Sequence, residues 1–125
     1  MKGKRYFAQG TASKKPHIAS AAAYIVNMAT GIANAILDME TARYHHGSIW
    51  IGRNVYIFGG IGPDYLSVCE KLCLDHQDQS WSQLSEMGLP RARFNPFVKG
   101  ELIYLLGGSN TRDCELYAFI TNSCL

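Results

Sequence analysis

The chain reads as an all-β fold built from repeated units of short antiparallel strands. Three observations predict it: apolar runs that stop at paired glycines, turn residues at close intervals between them, and a self-similarity with one constant offset. The segment 43–60, RYHHGSIWIGRNVYIFGG, lies over 91–108, RARFNPFVKGELIYLLGG. Arg43, Gly52, Tyr56, Gly59 and Gly60 thereby match Arg91, Gly100, Tyr104, Gly107 and Gly108, 48 residues on. Met39 falls over Met87, and after a three-residue difference in the loop, Cys69-Glu70 meets Cys114-Glu115.

In chain order the first unit, 1–38, is the faintest. Tyr24-Ile25-Val26 falls over Leu72-Cys73-Leu74 and Ala33 over Trp81, while residues 5–10 overlay the strand that ends in the glycine pair, with a two-residue slip. A degenerate set of strands is the first reading. An N-terminal helix is the alternative, because Ile18, Ala22, Ile25, Ala29, Ile32 and Ile36 recur at spacings of three and four and alanine favours helix. Lys2, Lys4, Arg5, Lys14 and Lys15 before the uncharged run 18–37 resemble a signal anchor or a transit peptide. Ser20, Asn27, Thr30, Gly31 and Asn34 inside that run argue against a membrane span, since amides are costly in hydrocarbon.

The second unit is complete over 43–87. Its 55–58 run is apolar at every position, as expected of a strand buried on both faces, and weaker strands are expected at 46–51, 67–74 and 81–84. Turns fall at 52–54, 62–64 and 76–80, where Gly, Pro, Asn and Asp supply the geometry. The third unit, 91–120, repeats the apolar strand at 102–106 and ends after its third strand. Four short strands in about 48 residues is the size of a propeller blade, which cannot bury both faces alone.

An arginine before the first strand, an aromatic strand ending in Gly59-Gly60, then Glu70, Trp81, Met87 and Pro90-Arg91 resemble the kelch repeat of β-propeller proteins. The pattern covers about 39–120 of a repeat region taken as 39–125. The resemblance implies a partial propeller of antiparallel four-stranded blades, with Tyr56, Gly59, Gly60, Glu70, Trp81, Arg91, Tyr104, Gly107, Gly108 and Glu115 as motif residues that hold blades together. Closed propellers use roughly four to eight blades. Two and a half repeats therefore imply a piece or a decayed copy of a longer kelch protein, several chains sharing one propeller, or blades that lean on another protein through exposed strand edges, self-association through blade edges included.

Chemistry is sparse. The stretch Gly59-Gly60-Ile61-Gly62 lacks the Lys-Ser or Lys-Thr of a phosphate loop, and its glycine pair recurs at 107–108 as architecture would. Cys69 and Cys73 on one strand would sit about 13 Å apart, too far for one disulfide or one zinc ion. His45 and His46, adjacent on an extended strand, would point to opposite faces. Glu70 and Glu115 share a repeat position, which makes them equivalent structural groups bonded to backbone donors near a turn. Arg91, Ala92 and Arg93, with Lys99 nearby, read as a solvated basic turn. No Gly-x-Ser-x-Gly elbow is present. No catalytic, cofactor or metal site is assigned.

A net charge of +2, with 18% charged residues, is far from the positive field that phosphate neutralisation needs, so nucleic acid is excluded as an expected partner. Four cysteines, all beyond residue 68, are too few and lopsided for a secreted disulfide scaffold and point to a reducing, cytoplasmic compartment. The expected function is a non-enzymatic protein-binding module, such as an adaptor, that meets its partner through loops carrying Pro63, Asp64, His76 and Arg112. The resemblance leaves two alternatives, a non-functional piece of a longer propeller and a kelch-scaffold enzyme of the oxidoreductase or sugar-isomerase kind.

Overall fold

A computed structural model describes residues 5–8, 19–74, 81–118 and 123–124. All regular structure in them is strand, and every pairing is antiparallel. The strands are β1 (Arg5–Ala8), β2 (Ala23–Asn27), β3 (Ile32–Ile36), β4 (Gly47–Ile51), β5 (Asn54–Phe58), β6 (Cys69–Cys73), β7 (Trp81–Gln83), β8 (Phe97–Lys99), β9 (Leu102–Leu106), β10 (Cys114–Ala118) and β11 (Ser123–Cys124). They form three sheets, ordered β1-β2-β3, β4-β5-β6-β7 and β11-β10-β9-β8.

The helix weighed for the Ala-rich stretch does not form; β2 and β3 occupy it as a hairpin. Turn chemistry at Asn27 outweighs alanine's helix propensity. The Asn27 side-chain oxygen accepts from the backbone N–H of Ala29 (2.9 Å) and Thr30 (3.3 Å), and its carbonyl accepts from Gly31 (2.7 Å). The chain reverses there, Asn27 lies opposite Ile32, and Ala23 lies opposite Ile36.

In the second sheet the alternation of β5 explains its unbroken apolarity. Val55 and Ile57 join Ala23, Met39, Leu72 and Trp81 in a layer against the first sheet, while Tyr56 and Phe58 join Met87, Phe94, Ile103, Leu105 and Tyr117 in a layer against the third. All four side chains are buried. The run in β9 looks alike in sequence but is buried on one face only: Ile103 and Leu105 point inward, and Leu106 is exposed. No described sheet covers its far side. Beyond residue 120 a two-residue strand, β11, pairs Cys124 with Tyr117 and Ser123 with Ala118, giving the third sheet four strands.

The second and third sheets are each approached by a short lead-in that lies along the preceding sheet. Arg43 N–H donates to the Ser20 carbonyl (3.0 Å) of the first sheet's segment; Arg91 N–H donates to Leu66 (3.1 Å), and Gly60 N–H donates back to the Arg91 carbonyl (2.7 Å). Gly59 and Gly60 permit that approach. A Cβ on Gly59 would strike the Arg91 carbonyl oxygen, and one on Gly60 would stand 2.8 Å from the Tyr44 carbonyl oxygen.

Candidate functional site

The residues that repeat in the sequence converge on two copies of one constellation. In the second sheet the Arg43 guanidinium lies fully buried, donating through Nη1 to the carbonyls of Gly59 (2.8 Å) and Val68 (3.1 Å) and through Nη2 to Glu70 Oε2 (2.5 Å). Glu70, also buried, accepts in turn from the backbone N–H of Glu40 (2.7 Å) and Thr41 (3.2 Å) in the lead-in. In the third sheet Arg91 donates to the carbonyls of Gly107 (2.9 Å) and Asp113 and to Glu115 Oε2 (2.8 Å), and Glu115 accepts from Gly88 (2.6 Å) and Leu89 (3.2 Å). Every partner sits at the matching place in its unit. The ion pair fastens the lead-in to strands two and three of its own sheet, with backbone carbonyls and N–H groups bonding both charges as a buried pair requires.

Burial draws the Arg43 pKa down, and Glu70's carboxylate pulls the other way. Burial pushes the Glu115 carboxyl up, but the Gly88 N–H and the Arg91 guanidinium outweigh it and hold the group below its ordinary value. Trp81 donates its indole N–H to the Leu37 carbonyl (2.8 Å), tying the last strand of the second sheet to the chain that leaves the first. Tyr56 lies in the layer between second and third sheets, its hydroxyl pKa raised by burial and by Cys73, with Lys71 Nζ 5.9 Å from its ring centroid. Tyr104, its counterpart, stacks on Phe97 at 4.8 Å on the outer face.

Several sequence readings change here. Arg91 and Ala92 are buried, so the basic turn reduces to Arg93 and Lys99, which are exposed. The His45-His46 pair is not extended: His45 has φ +55, as Arg93 has φ +56 one repeat later. His46 occupies the place that Phe94 fills in the next unit. It packs near Gly60, its Nδ1 is buried without a hydrogen-bond partner, and its pKa falls to about 4 through burial and the nearby Arg43 and His45. Cys69 is buried and Cys114 exposed, and neither they nor Cys73 are in a disulfide.

The loop residues singled out for binding divide. Pro63, Asp64 and Arg112 are exposed, and His76 lies outside the described residues. The 59–68 loop is internally bonded: Gly62 N–H donates to the Asp64 carbonyl (2.9 Å), Leu66 to Gly60 (2.9 Å), and Tyr65 to Asp64 Oδ1 (2.7 Å). This holds Pro63, Asp64 and Tyr65 out at its tip, Tyr65 being 39% exposed. Tyr65 lies in the loop 61–66 that the sequence offers as a binding surface, beside the Pro63 and Asp64 named from it. Among the described residues no three His, Cys, Asp or Glu stand where they could hold a metal ion, and no helix is long and apolar enough to cross a membrane.

No protein-family model matches the chain. Over 83 residues it is 32% identical to "Kelch-like protein 41b" of Danio rerio, a stretch that is 62% of this chain and 14% of that protein. The chain thus spans about a seventh of the relative it matches, and the likeness is to a kelch-type sequence.

Proposed function

We propose that the chain is a kelch-type protein-interaction module, acting as an adaptor without chemistry of its own, whose binding surface is the loop end carrying Pro63, Asp64, Tyr65 and Arg112. The observation that carries this reading is the 59–68 loop. Its backbone bonds fix a tip that offers a ring, a proline and a carboxylate to solvent, so little ordering entropy is lost on docking. Arg112 sits in the corresponding loop of the third sheet, bearing the opposite charge. The likeness to a kelch-like protein supports the same class of function. Among the described residues no three His, Cys, Asp or Glu are grouped where a kelch-scaffold enzyme could hold a metal ion.

The test compares proteins captured by the wild-type chain with those captured by a Pro63→Ala, Asp64→Ala, Tyr65→Ala, Arg112→Ala variant, using Glu101→Ala in the β8–β9 turn as reference. Partners lost in the loop variant and kept in the reference support the reading. An unchanged partner set in the loop variant would remove this surface from consideration.

A further inference from the structure

Residues that depart from the repeat are freer to serve a site than residues that obey it, and the lead-in to the second sheet departs where it meets the 59–68 loop. Tyr44 and Ile61 exchange both backbone bonds, from Tyr44 N–H to the Ile61 carbonyl (3.0 Å) and from Ile61 N–H to the Tyr44 carbonyl (2.8 Å). On its other side Ile61 pairs with Tyr65, framed by the bonds from Leu66 N–H to Gly60 and from Gly62 N–H to Asp64. Both bridges are antiparallel, and residues directly opposite in such pairs present their side chains to one face. Tyr44, Ile61 and Tyr65 thus stand in a row across three short stretches of chain.

The row fixes the spacing of its rings. A pair that exchanges both bonds sets its Cα atoms about 5.5 Å apart and a pair without them about 4.5 Å, which places Tyr44 and Tyr65 about 10 Å apart with Ile61 between them. Tyr65 is 39% exposed, and Tyr44 and Ile61 are half-buried. The exposed His45 sets its ring edge-on to Tyr44 at 5.0 Å, and Asp64, next to Tyr65, is exposed. One repeat on, the same row reads Ala92 and Ser109, joined by a bond from Ser109 N–H to the Ala92 carbonyl (2.9 Å), and it carries no ring there. The blade architecture does not require the tyrosines.

Two rings about 10 Å apart suit one kind of extended ligand. A polyproline II helix has three residues per turn and rises about 3.1 Å per residue, so prolines at i and i+3 lie on one side about 9.3 Å apart. Same-face residues of a β-strand fall about 6.6 Å or about 13 Å apart and miss the spacing. We propose, on the basis of the loop-end reading above, that the Tyr44–Ile61–Tyr65 row receives a proline-rich segment of a partner protein in polyproline II form, with one proline against each ring and the turn between them over Ile61. Such a segment is stiff and has no internal hydrogen bonds to break, so an aromatic surface captures it at little cost in ordering. Asp64 makes the Tyr65 end negative, which favours a basic residue beside the proline docked there.

The experiment titrates the 125-residue chain into a fluorescein-labelled Arg-Pro-x-x-Pro-Arg peptide, read by anisotropy, beside an Arg-Pro-x-x-x-Pro-Arg peptide and a peptide with alanine at both proline positions. Saturable binding of the first peptide alone, weakened about tenfold by Tyr65→Ala and by Tyr44→Ala and unchanged by Glu101→Ala, supports the proposal. No binding of the first peptide, equal binding of all three, or binding that neither ring substitution weakens overturns it. Circular dichroism checks the fold, and Tyr44→Leu, which keeps bulk without a ring, replaces Tyr44→Ala if that variant loses its β spectrum. Partner capture that still depends on Pro63, Asp64, Tyr65 and Arg112 while the first peptide fails to bind overturns this inference alone; capture independent of those residues, with the same failure, overturns the loop-end reading as well.

Discussion

At Gly59 and Gly107 the same backbone angle meets two different surroundings. Their φ values are +59 and +62, so an alanine at either place carries the left-handed penalty of about 1–2 kcal/mol. Only Gly59 faces the Arg91 carbonyl and the Met87 side chain. Gly107→Ala should therefore lower stability by that penalty alone, and Gly59→Ala by clearly more, as compared by urea unfolding; equal losses would contradict the close approach. His46 offers a second residue-scale test. The unfolded chain protonates it near 6.5 and the folded chain near 4, so folding stability falls as the pH drops through that window, by up to roughly 3 kcal/mol at about 1.4 kcal/mol per pKa unit. Because Phe94 fills the equivalent place, His46→Phe should fold, remove the unpartnered Nδ1 and flatten the difference between unfolding midpoints at pH 7 and pH 5.

Each lead-in is tied to its sheet by one arginine and one glutamate, and the tie can be cut from either side. Glu70→Ala leaves the Arg43 guanidinium buried without its counter-charge and should cost about 3–5 kcal/mol, whereas the double change Arg43→Met with Glu70→Leu should recover most of that loss. Glu115→Ala should cost less, because the Glu115 side chain is 12% exposed and water reaches what remains. Thermal unfolding of the four proteins gives the order. The strands themselves were legible in the sequence: expected strands at 46–51, 67–74 and 81–84 contain the observed β4, β6 and β7, because alternation and turn residues are local signals. The Arg43–Glu70 partnership was not, since 27 residues separate an arginine that read only as a repeat position from a glutamate that read as an acceptor for backbone donors. Their joint recurrence at 91 and 115 was the available clue, as polar residues that repeat with the core belong to it. The choice between helix and hairpin at 19–37 turned on the Asn27 side chain, whose turn bonds periodicity does not register.

Across the molecule, protection should follow how many neighbours a sheet has. β5 is central in the middle sheet and covered on both faces, while all three residues of β8 are exposed. Hydrogen exchange should accordingly be slowest in β5 and fast in β8, with β9 between them; uniform rates over the three would mean that the sheets open together. The middle sheet also shows that one joint serves twice. Its first face meets the β1–β3 sheet through Val55 and Ile57, and its second meets the β8–β11 sheet through Tyr56 and Phe58, whose own Ile103 and Leu105 repeat the pattern of Val55 and Ile57. A gene that copied residues 43–90 in tandem would thus insert a sheet whose two neighbours already present the right surfaces. Growth in steps of 48 residues by recombination would then reuse the apolar alternation of Val55 and Ile57 at each seam.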